Sequence, residues 1–117
     1  MDMPLHIKRI YEPADDGDGK RILADRLWPR GISKNDAHID AWLKDLAPSA
    51  ELRRWFGHDP KKWDEFRLRY QDELEKNSKA VKELREQIGQ STVTLLYGAK
   101  DTEHNNAVVL MDFLTNR

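Results

Sequence analysis

The segment TVTLLYGA (residues 92–99) decides the fold class. It is rich in β-branched residues and almost continuously apolar, which is typical of a strand buried in the centre of a parallel sheet. The strand runs directly into the polar stretch GAKDTEHNN (98–106). A second strand is predicted at KRILAD (20–25), and it runs into the polar stretch DRLWPRG (25–31). We therefore expect two central strands that each lead into a polar loop.

A third strand is predicted at LHIKRI (5–10), where apolar and polar residues alternate. Only a short loop separates it from the strand at 20–25. Because a parallel crossover normally needs a dozen or more residues, a hairpin-like pairing of these two strands is the simpler expectation. The predicted architecture is one small α/β domain over residues 1–117, with a short, mostly parallel central sheet of about three strands and packed helices.

Helices are predicted for most of the remaining chain. Apolar residues at positions 39, 42, 43 and 46 follow the i, i+3, i+4, i+7 spacing of one helix face, and a short helix follows at 49–57. The pair Asp59-Pro60 starts a helical stretch that reaches Ile88. Since one helix over 60–88 would be roughly 40 Å long, we expect a break near Asn77-Ser78, with Ser78 as a cap.

The last predicted helix begins at a cap formed by Asp101 or Thr102 and runs to about Asn116. Its segment AVVLMDFL (107–114) is apolar on nearly all sides, so this helix should be well buried.

Composition limits the classes of function. The chain of 117 residues contains no cysteine, which excludes disulfides, thiolate catalysis and cysteine metal sites. Its net charge of −1 makes nucleic acid an improbable partner, because nucleic-acid-binding proteins usually carry a basic excess. The longest apolar run, 107–111, is far too short to cross a bilayer, and the N-terminal segment does not resemble a secretory signal. We expect a cytoplasmic protein with no membrane contact and no cofactor.

The two polar loops form the predicted functional site, because open α/β sheets bind ligands outside the carboxyl ends of their strands. Arg26, Arg30 and Lys100 suit the recognition of a carboxylate or phosphate, although one arginine could instead pair with Asp25 and lock the turn. The other predicted ligand contacts are Trp28, Asp101 and Asn105. A tryptophan at this position packs equally well on the core.

Three side chains are candidates for proton transfer: His104, His58 and Asp25. His104 is predicted in the first turn of the last helix. Asp25 equally suits a buried acceptor for the N–H groups of WPRG (28–31). No two histidines have the spacing of a metal site, so no metal is predicted. The interleaved charges of residues 50–90 indicate a solvated face.

Three motifs together resemble the YeaO-like family of small bacterial proteins, within domain of unknown function 488: LADRLWPRGISK, WLKDLAPSAELRRWFGHDPKKWDEF and VTLLYGAKDTEHNNAVVL. The resemblance covers essentially the whole chain and implies no established activity. Many members of the larger family carry a cysteine where this chain has Tyr97, and a His-Arg pair near Asn105 and Asn106. This departure counts against cysteine-based chemistry here.

Two hypotheses about function follow. In the first, the protein binds a small anionic ligand, phosphorylated or nucleotide-like, between residues 25–31 and 98–106, and any catalysis would be cysteine-independent acid–base or hydrolytic chemistry. In the second, it is a non-catalytic module that binds a protein or RNA. The positions of Trp28 and Trp55 discriminate between them, because a concavity shared with the arginines favours a ligand and one flat exposed face favours a partner.

Overall fold

Four parallel strands form one sheet in the computed structural model, which describes residues 5–116. The strands are β1 (Leu5–Arg9), β2 (Lys20–Leu23), β3 (Ala41–Trp42) and β4 (Val93–Tyr97), in the order β1-β4-β2-β3. The helices are α1 (Lys34–Ala37), α2 (Ala50–Phe56), α3 (Trp63–Lys76), α4 (Ser78–Gln90) and α5 (Asn106–Asn116), with short 3-10 turns at Asp16–Asp18, Lys44–Leu46 and Pro60–Lys62. The predicted α/β class is confirmed, with four strands where about three were expected.

The strand β4 lies at the centre of the sheet, as its sequence predicts, and all of its residues are buried. Its side chains alternate between two faces. Leu95 and Tyr97 enter the main core, which the helices α2 to α5 cover, whereas Leu96 enters a smaller cluster on the opposite face. In β2, Ile22 and Leu23 divide between the faces in the same way. Burial on both faces explains why β4 is almost continuously apolar in sequence.

The predicted hairpin between the first two strands is wrong. β1 and β2 both pair with β4, in parallel, and do not pair with each other. The chain returns from the end of β1 to the start of β2 through residues 10–19, a segment that includes the 3-10 turn at Asp16–Asp18. Ten extended residues reach roughly 33 Å and a five-residue strand spans roughly 17 Å, so this return needs no helix.

The predicted helix over positions 39–46 is also wrong. This segment forms the short edge strand β3 and a 3-10 turn, and the true helix nearby, α1, ends at Ala37. Trp42 packs with the smaller cluster, whereas Leu43 packs against the main core. Neighbouring side chains that point to opposite faces are the property of a strand, and four apolar positions are too few to separate a strand from a helix.

The helices after β3 agree more closely with the sequence-based prediction than the strands do. The expected break occurs at Asn77, where α3 ends and α4 begins, but Ser78 is the first residue of α4 and does not cap it. The last helix starts at Asn106, later than the predicted cap at Asp101 or Thr102. Asp101 Oδ1 instead accepts hydrogen bonds from the N–H groups at positions 103 and 104, which stabilises a turn before the helix.

The described residues include no helix that is long and apolar enough to span a membrane.

A buried polar cluster holds the loop before β2 against the sheet. The Asp18 carboxylate pairs with Arg21 at 2.5 Å and with Lys8 at 3.2 Å. The backbone carbonyl of Asp18 accepts a hydrogen bond from the hydroxyl of Thr94, in the middle of β4. The loop therefore packs on the face of the sheet opposite the helices α2 to α5, where α1 also contributes Ala37.

Substitution of Gly19 tests how closely β2 approaches β4. A Cβ atom at Gly19 would lie 2.2 Å from the Thr92 carbonyl oxygen, and the residue has φ +64. Gly31 has φ +79 but open space around the same position, so it is the matched control. We expect Gly31→Ala to cost about 1–2 kcal/mol of unfolding free energy from the left-handed backbone, and Gly19→Ala at least about 1–3 kcal/mol more from the clash. Urea denaturation of both variants measures this, and equal losses would contradict the close approach.

Candidate functional site

The carboxyl ends of β2 and β4 meet at one edge of the sheet. Leu23 pairs with Leu96 in the parallel register, so the loops that follow the two strands start side by side. The predicted meeting of residues 25–31 and 98–106 is therefore present in the fold.

The Asp25 carboxylate connects these loops. The N–H of Gly98 donates to Asp25 Oδ2 at 2.9 Å, and Nδ2 of Asn106 donates to Asp25 Oδ1 at 3.2 Å. The same amide nitrogen of Asn106 donates to the Ala24 carbonyl at 2.9 Å. Asp25 is thus an acceptor, as one of the two interpretations predicts, but its donors come from the β4 loop and α5. The predicted donors, the N–H groups of WPRG (28–31), are wrong.

Burial raises the pKa of the Asp25 carboxyl above its usual 3.8, because desolvation disfavours the charged form. The hydrogen bonds from Gly98 and Asn106 oppose this shift, as do the nearby side chains of His58 and Arg53, but the pKa of Asp25 stays raised. The protein therefore holds a carboxyl group with an increased affinity for protons at the junction of the two loops.

A cavity of about 520 Å³ opens above this junction. Its lining joins both loops to the helical layer and comprises Tyr11, Asp25, Arg26, Leu27, Trp28, Pro29, Arg30, Pro48, Arg53, Phe56, His58, Phe66, Gly98, Ala99, Lys100, Asn105 and Asn106. Of the predicted site residues, Asp25, Arg26, Trp28, Arg30, His58, Lys100 and Asn105 lie here. The histidine between α2 and α3 reaches the site because the helical layer folds over the end of the sheet.

The cavity has more positive than negative side chains. Four arginine or lysine residues line it, against a single carboxylate, in a chain whose net charge is −1. Arg26 is held by a hydrogen bond from its Nε to the Pro48 carbonyl at 3.0 Å. Within residues 5–116, the side chains of Arg30, Arg53 and Lys100 make no hydrogen bond or ion pair. These three cations are available to a ligand.

Two predicted site residues, His104 and Asp101, are not part of the cavity lining. Nδ1 of His104 lies 2.9 Å from Asp101 Oδ2, and the imidazole packs edge-on against Trp63 with ring centroids 5.2 Å apart. His104 lies in the turn before α5 rather than in its first helical turn. Hydrogen bonds from the N–H groups of Glu103 and His104 lower the pKa of Asp101, which indicates a structural role for this turn.

Asn105 lines the cavity, but its side chain already has partners. Its Oδ1 accepts a hydrogen bond from the Val108 N–H at 3.0 Å, and its Nδ2 donates to the Asp101 carbonyl at 2.9 Å. Asn105 therefore caps α5 and positions the loop.

His58 is held in an unusual backbone conformation at the edge of the cavity. Gly57 and His58 both have positive φ, 54° and 57°, where α2 ends. A non-glycine residue in this region pays a steric cost, and such strain is concentrated at functional sites. The conformation carries the imidazole to the cavity lining, with its ring centroid 6.3 Å from that of Phe56.

The sequence did not identify several residues of the site. Arg53 was included among the solvated charges of the helices, yet it faces the cavity from α2. Tyr11 follows β1, and its hydroxyl donates to the Arg30 carbonyl at 2.6 Å, which fixes the DRLWPRG loop from the side. Gly98 and Asn106 position Asp25. The position of β1 beside β4 would have been the signal for Tyr11, but the hairpin expectation placed it elsewhere.

The two discriminating tryptophans lie in different places. Trp28 lines the cavity, donates its indole N–H to the Ile32 carbonyl at 2.7 Å and packs edge-on against Trp42. Trp55 lies in a groove between α2 and α3, with the cations of Lys62 and Arg69 near its ring. They do not share one flat face. Among residues 5–116, no three histidine, aspartate or glutamate side chains are grouped to hold a metal ion.

Comparison with known proteins identifies the family. A family profile described as the inactive DUF488-N3 subclade matches residues 4–117. The chain belongs to this family. The uncharacterised protein YeaO of Escherichia coli is 45% identical over 112 residues, which are 96% of this chain and 97% of that protein. An uncharacterised protein of Mycobacterium tuberculosis is 44% identical over 113 residues, which are 97% of this chain and 95% of the relative.

No solved structure shows significant similarity to the chain. The predicted YeaO-like membership within DUF488 is confirmed. Tyr97, at the position where many DUF488 relatives are expected to carry cysteine, is only 3% exposed and belongs to the main core. Asn105 forms a hydrogen bond with this tyrosine and lowers its pKa, but burial raises the pKa more strongly. The phenol therefore stays neutral and serves packing.

Asp25→Asn tests the protonation of this half-buried carboxyl. The folded state raises the pKa of Asp25 above 3.8, so the contribution of this group to stability is complete below that value and decreases as pH rises through the folded pKa. Asparagine does not titrate, and its amide places a donor against Gly98 or Asn106. We expect the free energy of unfolding of the variant to be about 1–3 kcal/mol lower than that of the wild type. This difference in unfolding free energy should narrow as pH rises from ~4 to ~7.

Denaturant unfolding of both proteins across this pH range gives the measurement. The shifts at Asp18 and Asp101 occur in both proteins and cancel in the difference. A difference that widens as pH rises would show that the fold favours the charged form of Asp25.

Proposed function

We propose that this protein binds a small anionic ligand in the cavity between residues 25–31 and 98–106. The observation that supports this most directly is the set of unpaired cations, Arg30, Arg53 and Lys100, around one concave site in a chain of net charge −1. Guanidinium groups bind carboxylates and phosphates through two parallel hydrogen bonds. The anchored Arg26 adds a fourth positive charge, so an anion entering the cavity is attracted from several sides.

The proposed role is binding without covalent catalysis. No serine, threonine or cysteine is present in the described lining, and the hydroxyl of Tyr11 is engaged with the Arg30 carbonyl. The family description, an inactive subclade, agrees with this proposal. His58 and Asp25 could still exchange protons with a ligand, so a binding role and a proton-transfer role share the same cavity. We place this binding in the cytoplasm, as the lack of cysteine suggests.

Arg53→Ala tests the cation cluster, and Arg54→Ala is its matched control. The two arginines are neighbours on α2 and both are exposed, but only Arg53 lines the cavity. Loss of a charge-assisted hydrogen bond should weaken the binding of inorganic phosphate, pyrophosphate or ribose 5-phosphate by about tenfold or more in Arg53→Ala. Arg54→Ala should bind as wild type does.

NMR titration of the backbone amides measures these affinities and locates the ligand. We expect the largest shifts at residues 26–31 and 98–101. If no probe binds, or if both variants lose affinity equally, the anion site is wrong, because a general electrostatic attraction does not distinguish the two arginines.

We expect His58→Gly to keep or slightly raise the free energy of unfolding and to weaken the binding of phosphate. His38 also has a positive φ, 50°, at the end of α1, but it lies outside the cavity. Glycine relieves the left-handed strain at either position, offset in part by its larger freedom in the unfolded state, so both variants should be unchanged to about 1 kcal/mol more stable. Only His58→Gly should weaken phosphate binding in the same titration. Weakened phosphate binding in His38→Gly would contradict a role of the cavity in binding, because His38 lies outside it.

A further inference from the structure

The size of the cavity says more about the ligand than its charge does, and this inference rests on the proposed anion site. A volume of about 520 Å³ equals roughly seventeen water molecules at ~30 Å³ each. An inorganic phosphate would fill only a small part of that space. Cavities of this size are typical of organic ligands that bury most of their surface.

The walls of the cavity are mainly apolar and aromatic. Trp28 and Pro29 form one side, from the loop after β2, while Phe56 and Phe66 form the other, from the helical layer. The rings of Phe56 and Phe66 stack with centroids 4.2 Å apart, and both residues belong to the main core. A planar ring is the ligand body that gains most from such walls, because aromatic faces pack with large contact areas.

Asp25 imposes a third requirement on the ligand. Each oxygen of a carboxylate can accept about two hydrogen bonds, and the protein supplies one to each, from Gly98 and from Asn106. Acceptor capacity therefore remains on a group that lines the cavity. A carboxylate repels an anionic group and attracts an N–H donor, so the two ends of the ligand must differ.

The number of cations favours phosphate over carboxylate as the anionic group. A phosphate monoester carries about −1.5 to −2 charges near pH 7, against −1 for a carboxylate. The side chains of Arg30, Arg53 and Lys100 make no hydrogen bond or ion pair among residues 5–116, and a group with three oxygens and nearly two charges can engage more than one of them.

We propose that the ligand is a phosphorylated planar heterocycle of mononucleotide size, with its phosphate at Arg30, Arg53 and Lys100, its ring between the aromatic walls and an N–H donor of the heterocycle, in the ring or exocyclic, at Asp25. This assignment names the ligand class for the proposed anion site. It requires that the affinity of the protein for a phosphorylated probe increase when a planar ring is added, and increase again when the ring carries an N–H donor.

A series of probes that add one feature at a time tests this on the wild-type protein by calorimetric titration. The series is inorganic phosphate, ribose 5-phosphate, purine riboside 5′-monophosphate, adenosine 5′-monophosphate and guanosine 5′-monophosphate. The ring should increase affinity by about tenfold over ribose 5-phosphate, as aromatic stacking of a base does. Purine riboside lacks an exocyclic N–H donor, so at least one of the two natural nucleotides should bind a further fivefold or more tightly, about the effect of one hydrogen bond.

Asp25→Asn assigns the donor step to the carboxylate. The variant should lose the preference for the natural nucleotide over purine riboside 5′-monophosphate. It should bind ribose 5-phosphate at least as tightly as wild type does, because the substitution removes a negative charge from the lining of an anion site. Should the variant not fold, the wild-type series still decides, because the donor step is read from ligands alone. Binding of inorganic phosphate with no gain from the ring or the donor would overturn this inference and leave the anion site standing. No binding by any member would overturn both.

Discussion

The hydrogen bonds of the Asp25 carboxylate hold the functional end of the molecule together. One side chain ties the end of β2 to the start of the loop after β4, through Gly98, and to the first turn of α5, through Asn106. The packing at Gly98 is tight, since a Cβ atom there would lie 3.1 Å from Asp25 Oδ2 and 3.3 Å from Pro29. The base of the cavity is therefore fixed by the sheet, while its cations project from the surrounding loops and from α2.

The fold could be predicted where the signal is local and strong. The almost continuously apolar sequence of β4 identifies a central buried strand, and the excessive length of a helix over 60–88 predicts the break near Asn77. The position of β1 could not be predicted, because its pairing with β4 joins opposite ends of the sequence and no local pattern records it. The prediction of a helix over 39–46 failed for a different reason. β3 has only two residues, which are too few to show the two-residue periodicity of a strand.

The residues of the candidate site also divide into those that local sequence predicts and those that depend on long-range packing. Residues that directly follow the central strands, such as Arg26, Arg30 and Lys100, were predicted because parallel strands bring their carboxyl ends together. Arg53 was not, since only the packing of α2 over the sheet end distinguishes it from Arg54 beside it. His104 was misplaced because the turn formed by Asp101 delays the start of α5, and the imidazole then meets Trp63 instead of the cavity.

The central position of β4 also determines when the protein can fold. β1 has its hydrogen-bonding partner in residues 93–97, and β2 has only the two-residue strand β3 as a partner besides β4, so the sheet stays incomplete until the segment 93–97 has been synthesised. The helices α3 and α4, which need only near neighbours in sequence, can form first. Long-range parallel pairing is slow and leaves strand edges exposed to aggregation, so we expect the sheet of this protein to form after its helices.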